Sequence, residues 1–235
     1  MPEKLLSSLT IFFPCYDDRK TIVDLVLSAD LAAAHLAQDH EILVVDDGST
    51  DGSREALRSL EGSLPKFRLI LHDGNRGYGA ALRTGFAHAT KEWIFYTDGD
   101  GQYDLGGLGQ LAGQASAGFD VVNGYKLNRR DPWYRVLIGE LYRRGTRFFF
   151  RLPIRDANCD FRLIRRQAVS RLDLRCTSGG VGVELISGLK RLGCRFSERG
   201  VEHHPRLHGR SRFFVPKHLL GTGLDLILLL RRNGC

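Results

Sequence analysis

Residues 92–104 read EWIFYTDGDGQYD, a short hydrophobic run that stops at two carboxylates. The run at 93–96 has the length and composition of a buried strand, and it is followed by Asp98, Asp100 and Gln102. Carboxylates at the carboxyl end of such a strand lie where open α/β sheets bind ligands, and oxygen ligands of this kind suit Mg²⁺ or Mn²⁺. The alternative is an acidic turn that merely ends the strand, because Asp and Gly are common turn residues.

The hydrophobic runs around this stretch alternate with helix-like segments, which predicts an α/β fold. The predicted strands are residues 9–13, 41–45, 67–71, 93–96 and 121–122, and the predicted helices are residues 21–36, 77–89 and 105–117. Such alternation indicates a mostly parallel sheet covered by helices on both faces. A chain of 235 residues with 43% hydrophobic side chains can bury one full core. We therefore expect a single domain over residues 1–212, followed by an apolar and basic segment at 213–235.

Cysteine usage and the first residues favour a reducing, cytoplasmic setting. The five cysteines are odd in number and form no CxxC pair, which argues against a disulfide framework or a zinc site. The first residues run directly into the first predicted strand, so we expect no secretory leader.

Positive charge is concentrated in one part of the chain. The net charge is +7, but residues 126–166 hold twelve Lys and Arg side chains against four Asp and Glu, a net +8. This concentration favours an anionic partner, such as phosphates, a nucleic acid or an acidic membrane surface. The alternative is a solvated helix face with unpaired arginines. Because the basic residues are not interleaved with stacking aromatics, we expect no nucleic-acid partner.

Two loops after neighbouring predicted strands carry side chains suited to a nucleotide. PCYDD at 14–18 follows the first strand, and VDDGSTDGS at 45–53 follows the second. Both lie at the edge where doubly wound sheets bind nucleotides. Asp46 and Asp47 can accept hydrogen bonds from a base or from ribose hydroxyls, and Tyr16 offers a ring for stacking.

Simple turn and capping roles are the alternative for the second loop. Asp51 or Ser53 can cap the following helix while the residues around Gly48 form the turn. A third loop, HDGNRGYGAALRTG at 72–85, is rich in glycine but is not GxGxxG, and GxxxxGK[ST] is absent. A Rossmann dinucleotide site and a P-loop are therefore unsupported.

Four motifs occur in the order seen in family 2 glycosyltransferases. They are Pro14-x-Tyr16-Asp17-Asp18, Val45-Asp46-Asp47-Gly48-Ser49-x-Asp51, Asn75-x-Gly77-x-Gly79 and Asp98-x-Asp100-x-Gln102. Within that family the chain most resembles the dolichyl- and polyprenyl-phosphate sugar synthases, the dolichol-phosphate mannose synthase-like group. Residues 124–135 are similar to that group's basic acceptor segment, and residues 156–166 and 203–212 are similar to its later blocks.

The resemblance implies a GT-A fold, with a Rossmann-like, mostly parallel sheet flanked by helices. It also implies an inverting, metal-dependent transfer of a sugar from GDP-mannose or a UDP-hexose to a polyprenyl or dolichyl phosphate. The nucleotide-sugar half would span about residues 1–124, and the acceptor half about residues 125–212.

The same motifs imply site residues, position by position. The metal, Mg²⁺ or Mn²⁺, would be held by Asp98, Asp100 and Gln102. The nucleotide sugar would be bound by Pro14, Tyr16, Asp18, Asp46, Asp47 and Asp98. The acceptor phosphate would be bound by Lys126, Arg129, Arg135, Arg206, Ser211 and Arg212. The residues expected to act in the reaction itself are Asp98, Asp100, Arg129 and Arg135.

Two positions depart from the family's pattern. Asp17 and Asp18 stand where the family usually has Asn and Glu, which leaves the choice of nucleotide open. Arg212 stands in place of a common Lys, which keeps the charge but changes the geometry of phosphate contacts.

The acceptor decides whether a general base is needed. A phosphate monoester is already anionic near neutral pH, so its attack on the sugar carbon needs no base. Glu184 is the candidate base if the acceptor is a glycan hydroxyl, although it can equally be a helix residue near the N-terminal end of its element. The Q-x-x-R-W signature of processive polysaccharide synthases is absent. A non-catalytic basic module that binds lipid or RNA is the remaining alternative.

The C-terminal segment favours a peripheral membrane role. Residues 219–230 are apolar but contain Asp225, and about twenty residues are needed to cross a bilayer. With Phe213, Phe214 and Lys217 nearby, the segment is typical of a helix in the membrane interface. A terminal helix packed on the domain is the alternative. We expect a peripheral protein at the cytoplasmic, inner face of the membrane.

Overall fold

The computed structural model describes residues 4–127, 133–205 and 216–232, with the backbone alone for 133–135 and 216–219. The strands are β1 (Leu6–Cys15), β2 (Ala37–Asp46), β3 (Phe67–Leu71), β4 (Trp93–Tyr96), β5 (Val121–Leu127), β6 (Arg162–Arg165) and β7 (Phe196–Glu202). The helices are α1 (Ile22–Leu36), α2 (Ser53–Glu61), α3 (Tyr78–His88), α4 (Leu108–Ser116), α5 (Trp133–Phe150), α6 (Arg166–Val169), α7 (Val181–Arg191) and α8 (Pro216–Arg232). A short 3₁₀ helix, Leu105–Gly107, precedes α4.

Seven strands form one mixed sheet in the order β3-β2-β1-β4-β6-β5-β7. Within the described part of the chain, β6 runs antiparallel to both of its neighbours, and the other pairs are parallel. The prediction of a mostly parallel sheet flanked by helices is therefore confirmed. The five predicted strands all exist, and three of them, β1, β2 and β5, extend beyond the predicted bounds.

Alternate residues of the central strands enter two separate cores. On β1, Ile11 and Phe13 belong to the core beneath α1, α2 and α4, whereas Phe12 belongs to the core beneath α3 and α7. On β2, Val44 and Val45 divide in the same way. Because successive side chains point to opposite faces, a sheet covered on both sides requires an unbroken hydrophobic strand. This requirement explains why these strands were recognisable from sequence.

Strands β6 and β7 were not predicted because their composition is polar. The β6 sequence, RLIR, begins and ends with arginine, and Arg162 is fully buried. Its guanidinium donates hydrogen bonds to the backbone carbonyls of Ala157 and Cys159 (3.1 and 3.2 Å). The β7 sequence, FSERGVE, lies at the sheet edge and is mostly half-buried.

Helix α8 is attached to the domain along one face. Leu229 is buried in the core beside α7, and Asp225 accepts hydrogen bonds from the backbone N–H and the hydroxyl of Ser178 (3.0 and 2.6 Å). Leu220 and Leu224, on the other side of the helix, are exposed. The helix is thus packed on the domain along one side, and the interfacial role of its exposed side stays a prediction. Over the described ranges, no helix combines the length and the hydropathy needed to span a bilayer.

Candidate active site

The carboxyl ends of three neighbouring strands meet at one edge of the sheet. Cys15 at the end of β1 pairs with Asp46 at the end of β2, and Phe12 pairs with Tyr96 at the end of β4. The backbone N–H of Thr97 continues this ladder by donating to the Phe12 carbonyl (3.3 Å). The loops that carry the nucleotide and metal motifs therefore open side by side, as the strand order requires.

The loops after β1 and β2 are joined by hydrogen bonds through Asp17. Its carboxylate accepts from the backbone N–H of Thr50 (2.8 Å), and its own N–H donates to the Ser49 hydroxyl (2.9 Å). Asp17 has a φ of 59°, in the left-handed region that Asn and Asp enter more readily than most residues. An Asp in place of the family's Asn thus keeps this turn. Asp51 accepts from the N–H of Ser53 (3.0 Å), the first residue of α2, while Gly52 occupies the N-cap position itself.

Asp46 is fully buried and faces an arginine. Its carboxylate accepts two hydrogen bonds from the Arg54 guanidinium (2.9 and 2.7 Å), which also donates to the carbonyl of His72 (2.7 Å). The backbone N–H of Ser49 adds a weaker contact to Asp46 (3.3 Å). The structure therefore gives Asp46 internal partners, and its assignment to the nucleoside stays a prediction.

Asp47 holds the loop that leads into α3. Its two carboxylate oxygens accept from the backbone N–H groups of Arg76 and Gly77 (both 2.9 Å), and one of them also contacts His72 Nδ1 (2.7 Å). His72 Nε2 contacts the Thr84 hydroxyl on α3 (2.9 Å). Asp47 is buried, so its visible role is to fix the start of α3. Its contact with a nucleoside likewise stays a prediction.

The glycines of the third loop permit a close backbone approach. The backbone N–H of Gly79 donates to the carbonyl of Thr177 (3.1 Å), and a Cβ on Gly79 would lie 2.1 Å from the carbonyl oxygen of Cys176. Gly77 has a φ of 92°, and its Cβ would lie 2.8 Å from the Thr177 carbonyl oxygen. These glycines thus bring the first turn of α3 against the 176–177 backbone. Tyr78 lies between these two glycines, and its hydroxyl is thereby directed toward Asp98, which follows β4.

Three carboxylates, Asp98, Asp100 and Asp160, form what we call the acidic centre. Asp98 accepts a hydrogen bond from the Tyr78 hydroxyl (2.9 Å), and Asp100 is only 6% exposed and accepts from the backbone N–H of Gln102 (3.1 Å). Burial, and then the charges of Asp160 and Asp100, raise the pKa of Asp98 well above its usual range. Burial also raises the pKa of Asp160 to about 6.

These pKa shifts follow from carboxylates that crowd together in a poorly solvated space. The Lys126 ammonium opposes the rise in the pKa of both Asp98 and Asp160, so its charge faces the acidic centre from the end of β5. A cluster of carboxylates that costs energy to ionise suits a divalent cation, which favours the charged form and prefers oxygen ligands. The residues present therefore fit Mg²⁺ or Mn²⁺. Among the described residues, no three His, Cys, Asp or Glu side chains already form a metal-binding group.

The end of β7 brings two histidines beside Gln102. The backbone carbonyl of Gln102 accepts a hydrogen bond from the backbone N–H of His204 (2.8 Å). The side-chain Nε2 of Gln102 donates to the backbone carbonyl of His204 (2.9 Å). Tyr103 pairs with His203 in an isolated bridge, and the two rings are 5.0 Å apart. With its amide nitrogen engaged, Gln102 can offer a metal its Oε1. Imidazole is a common metal ligand, and sequence reasoning had placed neither histidine next to the Asp-Gly-Asp turn.

Only part of the predicted acceptor site lies within the described residues. Lys126 is partly buried, with its ammonium 5.6 Å from the centre of the Tyr103 ring. Arg135 lies in the first turn of α5, where the backbone alone is described. The other predicted acceptor residues lie outside the described ranges: Arg129, Arg206, Ser211 and Arg212. Their roles stay predictions.

Glu184 has a structural role. It is 3% exposed, and one carboxylate oxygen accepts from the backbone N–H groups of Arg175 and Cys176 (both 2.8 Å). The other oxygen accepts from the Arg232 guanidinium on α8 (2.8 Å). The side chain therefore joins α7, the 175–176 loop and α8. This arrangement supports the helix-residue alternative over that of a general base.

Comparison with known protein families gives one match over most of the chain. The model of glycosyl transferase family 2 matches residues 10–173. Undecaprenyl-phosphate 4-deoxy-4-formamido-L-arabinose transferase from Aeromonas hydrophila is 28% identical over 222 residues, which cover 93% of this chain and 66% of that protein. The chain thus spans just under two thirds of this relative's length.

Solved structures share the fold. Glucosyl-3-phosphoglycerate synthase from Mycobacterium tuberculosis, in complex with Mn²⁺, UDP and glucosyl-3-phosphoglycerate, has a TM-score of 0.71 at 18% identity, over 97% of this chain and 80% of that one. A mannosyltransferase from Pyrobaculum calidifontis, in complex with GDP-Man and Mn²⁺, has a TM-score of 0.65 at 22% identity, over 94% of this chain and 64% of that one. The GT-A fold implied by the motifs is therefore confirmed.

Proposed function

Since the chain belongs to glycosyl transferase family 2, we propose that it transfers a sugar, with inversion, from GDP-mannose or a UDP-hexose to a polyprenyl or dolichyl phosphate. The observation that carries the proposal is the acidic centre with Lys126 beside it. It supports the proposal because carboxylates that would bind a metal for the donor diphosphate and a cation that would attract the acceptor phosphate lie at one sheet edge. The family match disfavours the alternative of a non-catalytic basic module.

The relatives support each half of the reaction. The Aeromonas hydrophila relative is named for transfer to undecaprenyl phosphate. The Mycobacterium tuberculosis synthase was solved with UDP and Mn²⁺ or Mg²⁺, and the Pyrobaculum calidifontis mannosyltransferase with GDP-Man and Mn²⁺. We extend to this chain a nucleotide-sugar donor, a divalent cation and a lipid-phosphate acceptor.

The residues of the chain divide the work as follows. Asp98, Asp100 and Gln102 would hold Mg²⁺ or Mn²⁺, which, when bound, neutralises charge on the leaving nucleoside diphosphate. Tyr78 keeps Asp98 in position through its hydrogen bond (2.9 Å). Lys126 faces the acidic centre and would attract the acceptor phosphate toward the donor, against the repulsion between their negative charges.

The remaining contacts are assigned by motif. The nucleoside would lie against the loops that follow β1 and β2, which carry Pro14, Tyr16 and Asp18 on one side and Asp46 and Asp47 on the other. The acceptor phosphate would also be met by Arg129, Arg135, Arg206, Ser211 and Arg212. Because that phosphate is already ionised, no residue has to remove a proton from it.

A second candidate is transfer to a glycan hydroxyl, and Asp160 is the observation that favours it. A hydroxyl nucleophile needs a general base. Asp160 is a carboxylate in the acidic centre whose pKa is raised by burial, and the other two carboxylates of the centre are assigned to the metal. Glu184, whose oxygens are engaged elsewhere, no longer competes for this role.

The decisive experiment measures nucleoside diphosphate release from GDP- and UDP-sugars, with and without a polyprenyl phosphate, and identifies the lipid product by mass spectrometry. We expect release to depend on the lipid phosphate and to stop reversibly on chelation. The acceptor that supports release separates the two candidates, whereas Asp160→Asn would remove a charge from the acidic centre under either of them. Release that requires a glycan and ignores the lipid phosphate would show that the first proposal is wrong.

The arginine assignments are tested by Arg129→Ala and Arg135→Ala, with the exposed Arg171→Ala as the matched control. A hydrogen bond to a charged group contributes about 1.5–3 kcal/mol, which corresponds to a loss of about 10- to 150-fold. We expect this loss in acceptor-dependent turnover, with donor affinity by calorimetry unchanged. If both variants turn over as fast as the control, neither Arg129 nor Arg135 binds the acceptor phosphate.

We also propose that the protein works at the inner, cytoplasmic face of the membrane. The support is the exposed side of α8, together with a lipid-borne acceptor. Deleting the chain from Leu219 onward is a poor test, since it also removes Leu229 from the core and Arg232 from Glu184. Substitutions confined to the exposed side of the helix test the location without disturbing the packed side.

A further inference from the structure

Exposed large hydrophobic side chains are concentrated on two helices. Of the thirteen in the described part of the chain, five lie on α5 and four on α8. Those on α5 are Leu137, Ile138, Leu141, Phe148 and Phe149. Those on α8 are Leu220, Leu224, Ile227 and Leu228. We call these nine side chains together the α5–α8 face.

Each helix presents its exposed residues as a stripe. At about 100° per residue, the five positions on α5 fall within an arc of about 120°, and the four on α8 within about 100°. The opposite sides of the helices are packed, with Thr146 and Phe150 buried on α5 and Thr222 and Leu229 buried on α8. Each helix is therefore held by one face and leaves an apolar face outside.

The two helices belong to the same side of the sheet. Both pack against α7. Tyr142 of α5, and Leu226 and Leu230 of α8, pack against one hydrophobic core, which lies beneath α3 and α7. Helix α1 lies over the other core, on the opposite face of the sheet. The two stripes thus give one side of the molecule an unusually apolar surface.

Arginines accompany both stripes. Helix α5 carries Arg143, Arg144 and Arg147, of which the first two share Glu140 as an ion-pair partner, and α8 ends at Arg231 and at Arg232, which pairs with Glu184. An apolar stripe flanked by basic residues is typical of a helix that lies in an anionic membrane interface. A second copy of the chain is a poorer partner, because a two-fold contact through this face would set arginines against arginines.

We propose that the α5–α8 face docks on an anionic lipid bilayer, with α5 inserted as well as α8. Helix α5 begins at Trp133, at the end of the basic segment 124–135. Docking α5 would therefore bring its first turn, which includes Arg135, close to the lipid phosphates. This last consequence rests on the proposed function, whereas the docking itself does not.

The test is co-sedimentation of the purified chain with phosphatidylcholine vesicles, with and without phosphatidylglycerol. The variants are Leu141→Gln/Phe148→Gln on α5 and Leu220→Gln/Leu224→Gln on α8, since Gln keeps helix propensity. We expect each pair to lower the partition coefficient by about 100- to 10,000-fold, as when two large apolar side chains leave a bilayer. Binding of the unaltered chain should be stronger with phosphatidylglycerol.

The matched control is Leu27→Gln/Leu31→Gln, two exposed leucines of α1 on the other face of the sheet. It should bind vesicles like the unaltered chain, and all variants should melt within a few degrees of it. Undiminished binding by the α5 pair would overturn the proposal. So would sedimentation velocity showing a dimer that the α5 pair dissolves, without vesicle binding.

The same variants separate docking from catalysis. Transfer to a short-chain, water-soluble acceptor should be unchanged in the α5 pair, while transfer to the acceptor in vesicles falls. If the unaltered chain binds vesicles but transfers sugar to neither acceptor, the proposed function fails and the docking surface stands. If transfer in solution is normal and vesicles are not bound, the docking surface fails alone.

Discussion

Replacing Glu184 with Gln should damage stability and leave the chemistry intact. The carboxylate accepts three hydrogen bonds of 2.8 Å, two from backbone N–H groups and one from Arg232. An amide of the same size has only one oxygen, so its NH₂ group must face either the two N–H donors or the guanidinium. At least one contact is therefore lost at a side chain that is 3% exposed.

The expected loss is about 1.5–3 kcal/mol in the free energy of unfolding, the usual contribution of a hydrogen bond to a charged group. For a chain of this size each kcal/mol shifts the melting temperature by about 2–4 °C, so Tm should fall by about 3–12 °C. Urea unfolding followed by circular dichroism gives the free energy directly. Glu140→Gln, on the surface of α5, is the control and should cost less than about 1 kcal/mol.

Turnover per folded Glu184→Gln molecule should equal that of the unaltered chain, measured well below the lowered melting temperature. A variant that unfolds at the unaltered Tm yet transfers no sugar would refute the reasoning. Glu184 would then act on the acceptor, and a glycan hydroxyl would replace the lipid phosphate.

Asp100→Ala should abolish both sugar transfer and Mn²⁺ binding measured by calorimetry without nucleotide, while Tm stays nearly unchanged; normal Mn²⁺ binding would contradict its role as a ligand. Tyr78→Phe removes the hydrogen bond to Asp98 and should weaken Mn²⁺ binding by about tenfold; an unchanged affinity would make Tyr78 a packing residue only. Gly79→Ala places a Cβ 2.1 Å from a backbone carbonyl oxygen, and overpacking of this kind costs about 1–3 kcal/mol. Gly113→Ala, which meets nothing within 4 Å, is its control and should be neutral or stabilising by about 1 kcal/mol.

The sheet edge that carries the nucleotide and metal motifs was predictable from sequence because its strands are buried on both faces. The second halves of β1 and β2, and the whole of β4, are nearly continuous hydrophobic runs, and each strand ends at or is followed by a loop that carries Asp. That pattern is enough to place Asp98 near the ends of its neighbours once the sheet is parallel. It does not reveal partners, and so it could not show that Asp46 and Asp47 are already held by Arg54 and by the 76–77 backbone.

The residues of the acidic centre and its surroundings that were not predicted lie far from Asp98 in the sequence. Asp160 precedes β6, whose polar sequence hides it, and it joins Asp98 only because β6 pairs with β4. Tyr78 is an ordinary aromatic residue between two glycines, and its role follows from the contact with the 176–177 backbone. The contact between Glu184 and α8 depends equally on tertiary structure. Local periodicity carries no information on any of them.

The antiparallel strand β6 has a consequence for synthesis on the ribosome. It is made after β5 but inserts between β4 and β5, so a nascent chain that stops before Arg165 leaves β4 with one open edge. An unpaired edge strand is a template for aggregation. A fragment limited to the motifs of the first hundred residues would therefore expose the edge of β4. The nascent chain should therefore need chaperones most while residues 93–165 are being synthesised. This need should fall once β6 pairs with β4 and β5.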